Sequence, residues 1–134
     1  MKDAIVWIID DDMVAQFAAT YKIEQSNTNY RVICYDSVED ALTTIGKCVK
    51  DNIDIPDIVL LDLCFPESDG WHFLKRIKQN QKCAGDMKIY IVSAFSNPED
   101  KIFARQHPMV KAYFDKPITK TNIDHVFRSS KDYD

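Results

Sequence analysis

Short apolar runs alternate with amphipathic segments five times along the chain. Each run holds four to six residues and is rich in valine, isoleucine and aromatic residues, which is typical of buried strands. Strands that alternate with helices indicate a parallel sheet covered by helices on its faces. The five predicted strands are Ala4 to Ile9, Tyr30 to Tyr35, Ile58 to Leu61, Lys88 to Val92 and Val110 to Phe114.

Capping signals and apolar stripes place a helix after each of these strands. Asp12, Ser37 and Asn97 are predicted N-caps, and Pro98 suits the first turn of the fourth helix. In four helices the apolar residues repeat at helical spacing and form one apolar face. These stripes are Val14, Phe17, Ala18 and Tyr21; Val38, Ala41, Leu42, Ile45 and Val49; Trp71, Leu74 and Ile77; and Ile123, Val126 and Phe127. The chain is therefore predicted to be an α/β protein with five strands and five helices.

Acidic residues follow the first and third predicted strands. Asp10 and Asp11 end the first run, and Asp62 ends the third. In the doubly wound, flavodoxin-like sheet with strand order 2-1-3-4-5, strands one, three and four are adjacent, so these acids and Ser93 emerge at one edge. Lys116 ends the fifth strand, roughly 10 Å from the third at about 4.8 Å per strand, and its long side chain can reach the acids. Three clustered carboxylates require a cation.

The chemistry that this cluster favours is phosphoryl transfer to a carboxylate. Asp62 is the expected nucleophile, and Asp11 and Asp62, helped by Asp10, supply the hard oxygen ligands that Mg²⁺ prefers. Lys116 and the hydroxyl of Ser93 are expected to bind the phosphoryl oxygens, since catalysis of this reaction consists mainly of positioning and electrostatic stabilisation.

Length and composition bound the remaining possibilities. The 134 residues suit one domain over 1–134, with its core at about 4–128 and a frayed tail at 129–134. The net charge of -4 gives no electrostatic reason to expect nucleic acid as a partner. No apolar run is long enough to span a membrane and no signal peptide is evident, so we expect a cytoplasmic protein. The four cysteines show no CxxC spacing, which argues against a zinc site.

The motifs at the four predicted strand ends resemble those of receiver domains in two-component response regulators. The resemblance runs from about Ala4 to Phe127, and its motifs are Ile9 to Asp12, Leu61 to Gly70, Ile91 to Ala94 and Tyr113 to Pro117. It implies that Mg²⁺ is bound by Asp11, Asp62 and the backbone carbonyl of Cys64. It also implies that Ser93 and Tyr113 form a coupled switch and that the Lys116–Pro117 peptide bond is cis.

The resemblance implies a signalling function rather than an enzyme. Asp62 would receive a phosphoryl group from a sensor histidine kinase or a phosphotransfer protein, and the altered surface would bind an unknown downstream protein. Because the receiver-like region takes up nearly the whole chain, we expect a stand-alone receiver without an output domain. In the family, the positions of Cys64 and Phe95 line the path of the hydrolytic water, and neither side chain is charged or strongly hydrogen-bonding.

Three other classes of protein compete with this interpretation. A haloacid-dehalogenase-like phosphatase needs a second aspartate two residues after its nucleophile, where this chain has Cys64. A nucleotide-binding module needs a glycine-rich phosphate loop, whereas the three glycines here are scattered. A receiver-like interaction module that is never phosphorylated would be expected to lack one of the acids, the lysine or the hydroxyl.

Overall fold

Five parallel strands form one sheet in the order β2-β1-β3-β4-β5, with helices on both faces. The computed structural model describes residues 4–26, 29–63, 70–80, 87–94 and 97–131. The predicted fold class and strand order are confirmed, and so are the five helices. The elements are β1 (Ala4–Ile9), α1 (Met13–Ser26), β2 (Tyr30–Tyr35), α2 (Val38–Asp51), β3 (Ile58–Leu61), α3 (Gly70–Lys78), β4 (Lys88–Ser93), α4 (Pro98–Gln106), β5 (Val110–Asp115) and α5 (Lys120–Lys131).

The three central strands are buried on both faces, which explains why they read as continuous apolar runs. Along β1, Ile5, Trp7 and Ile9 belong to the core layer that contains the buried residues of α2 and α3. Val6 and Ile8 alternate with them and belong to the layer formed with α1 and α5. Parallel strands need crossover connections, and these connections place helices on both sides of the sheet.

The caps predicted for α2 and α4 are present. The Ser37 hydroxyl accepts a hydrogen bond from the backbone N–H of Asp40 at 3.1 Å. The Asn97 side-chain oxygen accepts one from the N–H of Asp100 at 2.8 Å. Each cap satisfies an N–H group that has no partner within its own helix. The predicted stripe of α2 is also confirmed, because Val38, Ala41, Ile45 and Val49 are all buried.

Helix α1 packs differently from the expectation. Its buried residues are Ala19 and Ile23, whereas Val14, Phe17 and Tyr21 are 77%, 79% and 59% exposed. The predicted apolar face of α1 was therefore wrong as a core face. Met13, at 71% exposed, extends the same surface. We call Met13, Val14, Phe17 and Tyr21 the α1 patch.

Two further expectations concern the segment after β5 and the end of α5. The Lys116–Pro117 bond is cis, as the resemblance implied. Helix α5 continues to Lys131, so residues 129–131, predicted as part of a tail, are helical. In the part of the chain that the structure describes, no helix combines the length and apolarity that a membrane crossing requires.

Candidate functional site

The sheet register brings the predicted acids together at the carboxyl edge. Ile9 lies opposite Leu61, so the residues that follow them, Asp10 and Asp62, leave adjacent strands at the same level. Carboxylate oxygens of Asp10, Asp11 and Asp62 all lie within 4.8 Å of one another. Asp10 and Asp62 are only 5% and 4% exposed, whereas Asp11 faces solvent. The cluster therefore has two buried carboxylates and one that is accessible to solvent.

Lys116 crosses from the end of β5 to the two buried acids. Its Nζ lies 2.7 Å from Oδ2 of Asp10 and 2.9 Å from Oδ2 of Asp62. Its backbone N–H donates to the carbonyl of Ser93 at 3.0 Å, which fixes the start of its side chain beside β4. The ammonium thus neutralises one of the two buried negative charges.

Burial and the hydrogen bond between Asp10 and Lys116 shift the pKa of each group in opposite directions. Burial raises the pKa of Asp10, although hydrogen bonds from Lys116 and from the N–H of Asp12 act against it. Burial alone would lower the pKa of Lys116, but its hydrogen bonds with Asp10 and Asp62 outweigh that effect and raise it. Lys116 therefore remains charged near neutral pH.

Backbone and side-chain donors hold Asp10 in place. The N–H of Asp12 donates to Oδ1 of Asp10 at 2.9 Å, and Nε2 of Gln16 donates to its carbonyl at 2.6 Å. The backbone N–H of Asp62 donates to the carbonyl of Ile9 at 3.0 Å. Sequence reasoning missed Gln16, because a single glutamine on a helix carries no spacing signal.

Ser93 ends β4 at the same edge of the sheet. It is only 1% exposed, and its Oγ has no hydrogen-bond partner among the described residues. A buried hydroxyl without a partner is costly, so this group is suited to gain one when a polar ligand arrives. Tyr113 lies on β5 opposite Ile91, half-buried against the core layer of α2 and α3, with the Lys101 ammonium 5.8 Å from its ring centroid.

Gly70 begins α3 directly against the backbone of Asp62. Its N–H donates to the carbonyl of Leu63 at 3.1 Å. A Cβ at this position would clash with the carbonyl oxygen of Asp62 and crowd Leu63. Glycine is therefore required for this close approach. The predicted ligand Cys64 lies outside the described residues.

A largely apolar cavity of about 350 Å³ opens beside the acids. One wall is α1, the other is the segment after β5, and the floor is the sheet. Val14 of the α1 patch lines it, and Asp10, Asp62 and Lys116 lie along it. One residue of the α1 patch therefore borders the cavity beside the site. The remaining lining residues are Ile8, Asp12, Ala15, Ala18, Ala19, Leu60, Val92, Ala94, Pro117 and Ile118.

The three aspartates offer only oxygen ligands, which suits a hard divalent cation such as Mg²⁺. A zinc site would instead draw on cysteine or histidine. No group of cysteine or histidine residues with metal-ligand geometry occurs in the described ranges. The donor set therefore fits the cation expected from the sequence.

Comparisons with known proteins agree with this geometry. A family model described as the response regulator receiver domain matches residues 6–128. The DNA-binding transcriptional regulator NtrC of Klebsiella pneumoniae is 29% identical over 123 residues, which cover 88% of this chain and 23% of that protein. NtrC of Proteus hauseri is 26% identical over 120 residues, covering 88% and 22%. The chain spans less than a quarter of the length of these curated relatives.

Solved structures share the fold along the whole chain. A two-component response regulator from Cytophaga hutchinsonii has a TM-score of 0.88 at 22% identity, covering 98% of this chain and 99% of that one. A two-component response regulator from Legionella pneumophila has a TM-score of 0.83 at 19% identity, covering 97% and 99%. With the family model matching nearly all of the chain, the protein belongs to the response regulator receiver domain family of two-component systems.

Proposed function

We propose that this protein is a phosphoacceptor in a two-component phosphorelay, with Asp62 as the phosphorylated residue. The observation that carries the proposal is the cluster of three carboxylates within 4.8 Å of one another, with the Lys116 ammonium 2.9 Å from Asp62. One domain over residues 1–134 holds the site and acts in the cytoplasm. The donor is a phosphohistidine on a sensor histidine kinase or a phosphotransfer protein.

In the transfer step an oxygen of Asp62 attacks the phosphorus while the bond from phosphorus to the histidine nitrogen breaks. The departing imidazole leaves with the electron pair of that bond, and Asp62 becomes an acyl phosphate. Lys116 stabilises one phosphoryl oxygen and the Ser93 hydroxyl donates to another. The protein is itself the acceptor of the phosphoryl group, so it is a signalling domain that assists its own phosphorylation and dephosphorylation.

Mg²⁺ would be held by Asp11, Asp62 and the backbone carbonyl of Cys64, with Asp10 acting indirectly. When bound, it supplies positive charge that offsets the charge of the incoming phosphoryl oxygens. Asp11 is the accessible member of the cluster, and Lys116 forms its ion pairs with Asp10 and Asp62, so Asp11 can bind the cation without breaking either pair. Asp10 supports the site by holding Lys116 in place.

Neutralising Asp11 should raise the Mg²⁺ concentration required for phosphorylation. Mutating a residue that only hydrogen-bonds to a metal ligand typically lowers metal affinity by about 10- to 100-fold. Asp11 is a proposed ligand itself, so we expect a loss of at least that size for Asp11→Asn. The measurement is the initial rate of phosphorylation by a small acyl phosphate as a function of Mg²⁺, read by intact mass.

Asp12→Asn is the matched control for this experiment. It removes the same charge one residue away. Asparagine can still cap α1, where Oδ1 of Asp12 accepts hydrogen bonds from the N–H groups of Val14 and Ala15 at 3.0 and 3.4 Å. An equal shift in both variants would mean that general surface charge, rather than Asp11 as a ligand, sets the Mg²⁺ requirement.

The α1 patch is the proposed docking surface for the phosphodonor protein. Its four large apolar side chains are between 59% and 79% exposed, and Val14 also lines the cavity that contains Asp62. Exposed apolar patches of this kind mark protein interaction sites. A donor that covers this surface would bring its phosphohistidine to the carboxyl edge and exclude water from it.

Phe17→Ala should slow transfer from a phosphohistidine protein by about tenfold, the order of effect found for interface hot spots. Phosphorylation by a small acyl phosphate should be unchanged, because that donor needs no docking surface. The donor used is any phosphotransfer protein that phosphorylates the wild type. Ile53→Ala removes another exposed apolar residue, 55% exposed and outside the patch, and serves as control. Equal losses with both kinds of donor would place the defect in the site and not in docking.

Ser93 and Tyr113 are proposed to transmit the phosphorylated state. The unpartnered Ser93 hydroxyl would gain a charged acceptor on the phosphoryl group, which is the stronger kind of hydrogen bond. Its movement makes room beside β4, into which the half-buried Tyr113 turns. The surface of α4, β5 and α5 then changes, and the phosphoryl group shifts the equilibrium only by its differential interaction with the two states.

Amide hydrogen exchange measures this coupling. A beryllium fluoride adduct at Asp62 should alter exchange across residues 93–128 in the wild type, and Ser93→Ala should lose most of that change while still forming the adduct. Asp62→Asn, which cannot form the adduct, gives the baseline. Changes confined to another face of the wild type would contradict the proposed switch.

A further inference from the structure

We infer that the groove between α3 and α4 binds an acidic, amphipathic segment of a partner protein. The groove has a volume of about 480 Å³ and is separate from the phosphorylation site. Its occupant differs from the phosphodonor, and nothing in its chemistry requires Asp62 to be phosphorylated. The residues that line it are Trp71, Leu74, Lys75, Lys78, Asp100, Phe103, Gln106 and His107.

The apolar part of the groove is an aromatic pair that spans the two helices. The rings of Trp71 and Phe103 meet edge to face with centroids 6.1 Å apart, and Phe103 remains 58% exposed. Leu74 forms a buried floor beside them. This arrangement leaves an apolar slot into which one aromatic or branched aliphatic side chain of a partner fits.

The charged part of the groove is a pair of lysines on one rim. Lys75 and Lys78 both face solvent, and no acidic side chain lies within 4 Å of either ammonium among the described residues. On the opposite rim, the Asp100 carboxylate accepts from Nδ2 of Asn97 at 3.1 Å and keeps its negative charge, so two ammonium groups outnumber one carboxylate in the lining. The groove therefore attracts carboxylates, although the whole chain has a net charge of -4.

Stabilisation of the α3 dipole explains only part of this pattern. Cations are favourable in the last turn of a helix, and Lys75, Arg76 and Lys78 all lie there. That effect does not explain why a partly exposed aromatic pair lines the same groove as Lys75 and Lys78. The lysines are three residues apart, or about 4.5 Å along the axis, which matches carboxylates one turn apart on a partner helix.

The groove is preformed because its far end is tied to α3. The N–H of Met109 donates to Nδ1 of His107 at 3.1 Å, so Nε2 carries the proton and donates to the carbonyl of Leu74 at 3.1 Å. Burial lowers the pKa of His107, which keeps this neutral form at physiological pH. A fixed groove loses little conformational entropy when a partner binds.

Selection from a phage-displayed library of random 16-residue peptides tests the inference on the unphosphorylated wild type. Clones that bind the wild type but not a Lys78→Glu/Phe103→Ala variant should be enriched in aspartate or glutamate together with an aromatic or leucine residue. One selected peptide is then synthesised, and its affinity is measured by the fluorescence of Trp71, since Trp7 is buried in the core.

Two matched pairs of single variants make the result specific. Lys78→Glu and Arg76→Glu change the same charge in the same helical turn, but only Lys78 lines the groove. Phe103→Ala and Ile102→Ala each truncate an exposed residue of α4, 58% and 54% exposed, and only Phe103 lines the groove. We expect each groove variant to weaken binding by about tenfold. Each control should change it less than twofold by the same reasoning, because neither residue contacts the groove.

Several outcomes would overturn the inference. These are selected peptides without acidic enrichment, no peptide that discriminates between wild type and the double variant, and equal losses in groove and control variants. Concentration-dependent self-association that Phe103→Ala abolishes would show that a second copy covers the groove. Repeating the binding in Asp62→Asn keeps this result independent of the proposed phosphorylation.

Discussion

Lys116→Ala is expected to lower the free energy of unfolding of the metal-free protein by about 3 to 5 kcal/mol, the usual cost of breaking a buried ion pair. The Lys116 ammonium contacts Asp10 at 2.7 Å and Asp62 at 2.9 Å, and these two side chains are only 7% and 5% exposed. Without the ammonium, two adjacent carboxylates are left buried and face one another without a counter-charge.

Denaturant unfolding with and without Mg²⁺ measures this effect. Lys111→Ala is the control, since it removes an exposed lysine from β5, the strand that Lys116 directly follows, and it should be nearly neutral. Mg²⁺ should stabilise Lys116→Ala more than the wild type, because the cation replaces the missing positive charge. If Lys116→Ala unfolds like the wild type in the absence of metal, the ion pairs are not a main source of stability at this edge.

The sequence was sufficient for the architecture because its signals are local and repeated. The central strands carry apolar side chains on both faces, so each appears as an uninterrupted run whose ends are easy to locate. The predicted bounds of β2 and β3 match the structure, and β4 and β5 each extend one residue further, to Ser93 and Asp115. Capping residues such as Ser37 and Asn97 located helix starts for the same reason, since each side chain bonds its own first turn.

The site was predictable as far as topology determines it. Once the strand order is known, Asp10 and Asp62 must leave adjacent strands together, and only a side chain as long as Lys116 reaches them from β5. Strand order does not predict the contacts that helices make with this edge. The hydrogen bond from Gln16 to the carbonyl of Asp10 and the close approach of Gly70 to Asp62 depend on how α1 and α3 pack against the sheet.

Helix α1 shows why an apolar stripe can mislead. Val14, Phe17 and Tyr21 repeat at helical spacing as a core face would, yet Ala19 and Ile23 are the residues buried against the sheet. An apolar stripe in a sequence looks the same whether its residues pack in the core of their own chain or against another protein. Only the structure separates the two cases.

Asp62→Asn is expected to abolish phosphorylation without destabilising the protein. Asparagine has no carboxylate oxygen to attack phosphorus, so no acyl phosphate forms. The substitution also removes one of two buried negative charges while leaving Asp10 paired with Lys116 at 2.7 Å. The metal-free variant should therefore unfold at a denaturant concentration equal to or above that of the wild type, as is common when a functional site contains destabilising charge. A folded but inactive variant separates loss of chemistry from loss of structure.

The most direct test of the central claim is the intact mass of wild type and Asp62→Asn after incubation with a small acyl phosphate and Mg²⁺. We predict that the wild type gains one phosphoryl group, that the gain disappears when the metal is chelated, and that peptide mapping after borohydride reduction locates the modification at Asp62. Asp62→Asn should gain none under the same conditions. A phosphoryl group on the Asn variant, or an unmodified wild type with Mg²⁺ present, would contradict the assignment of Asp62 as the phosphoacceptor.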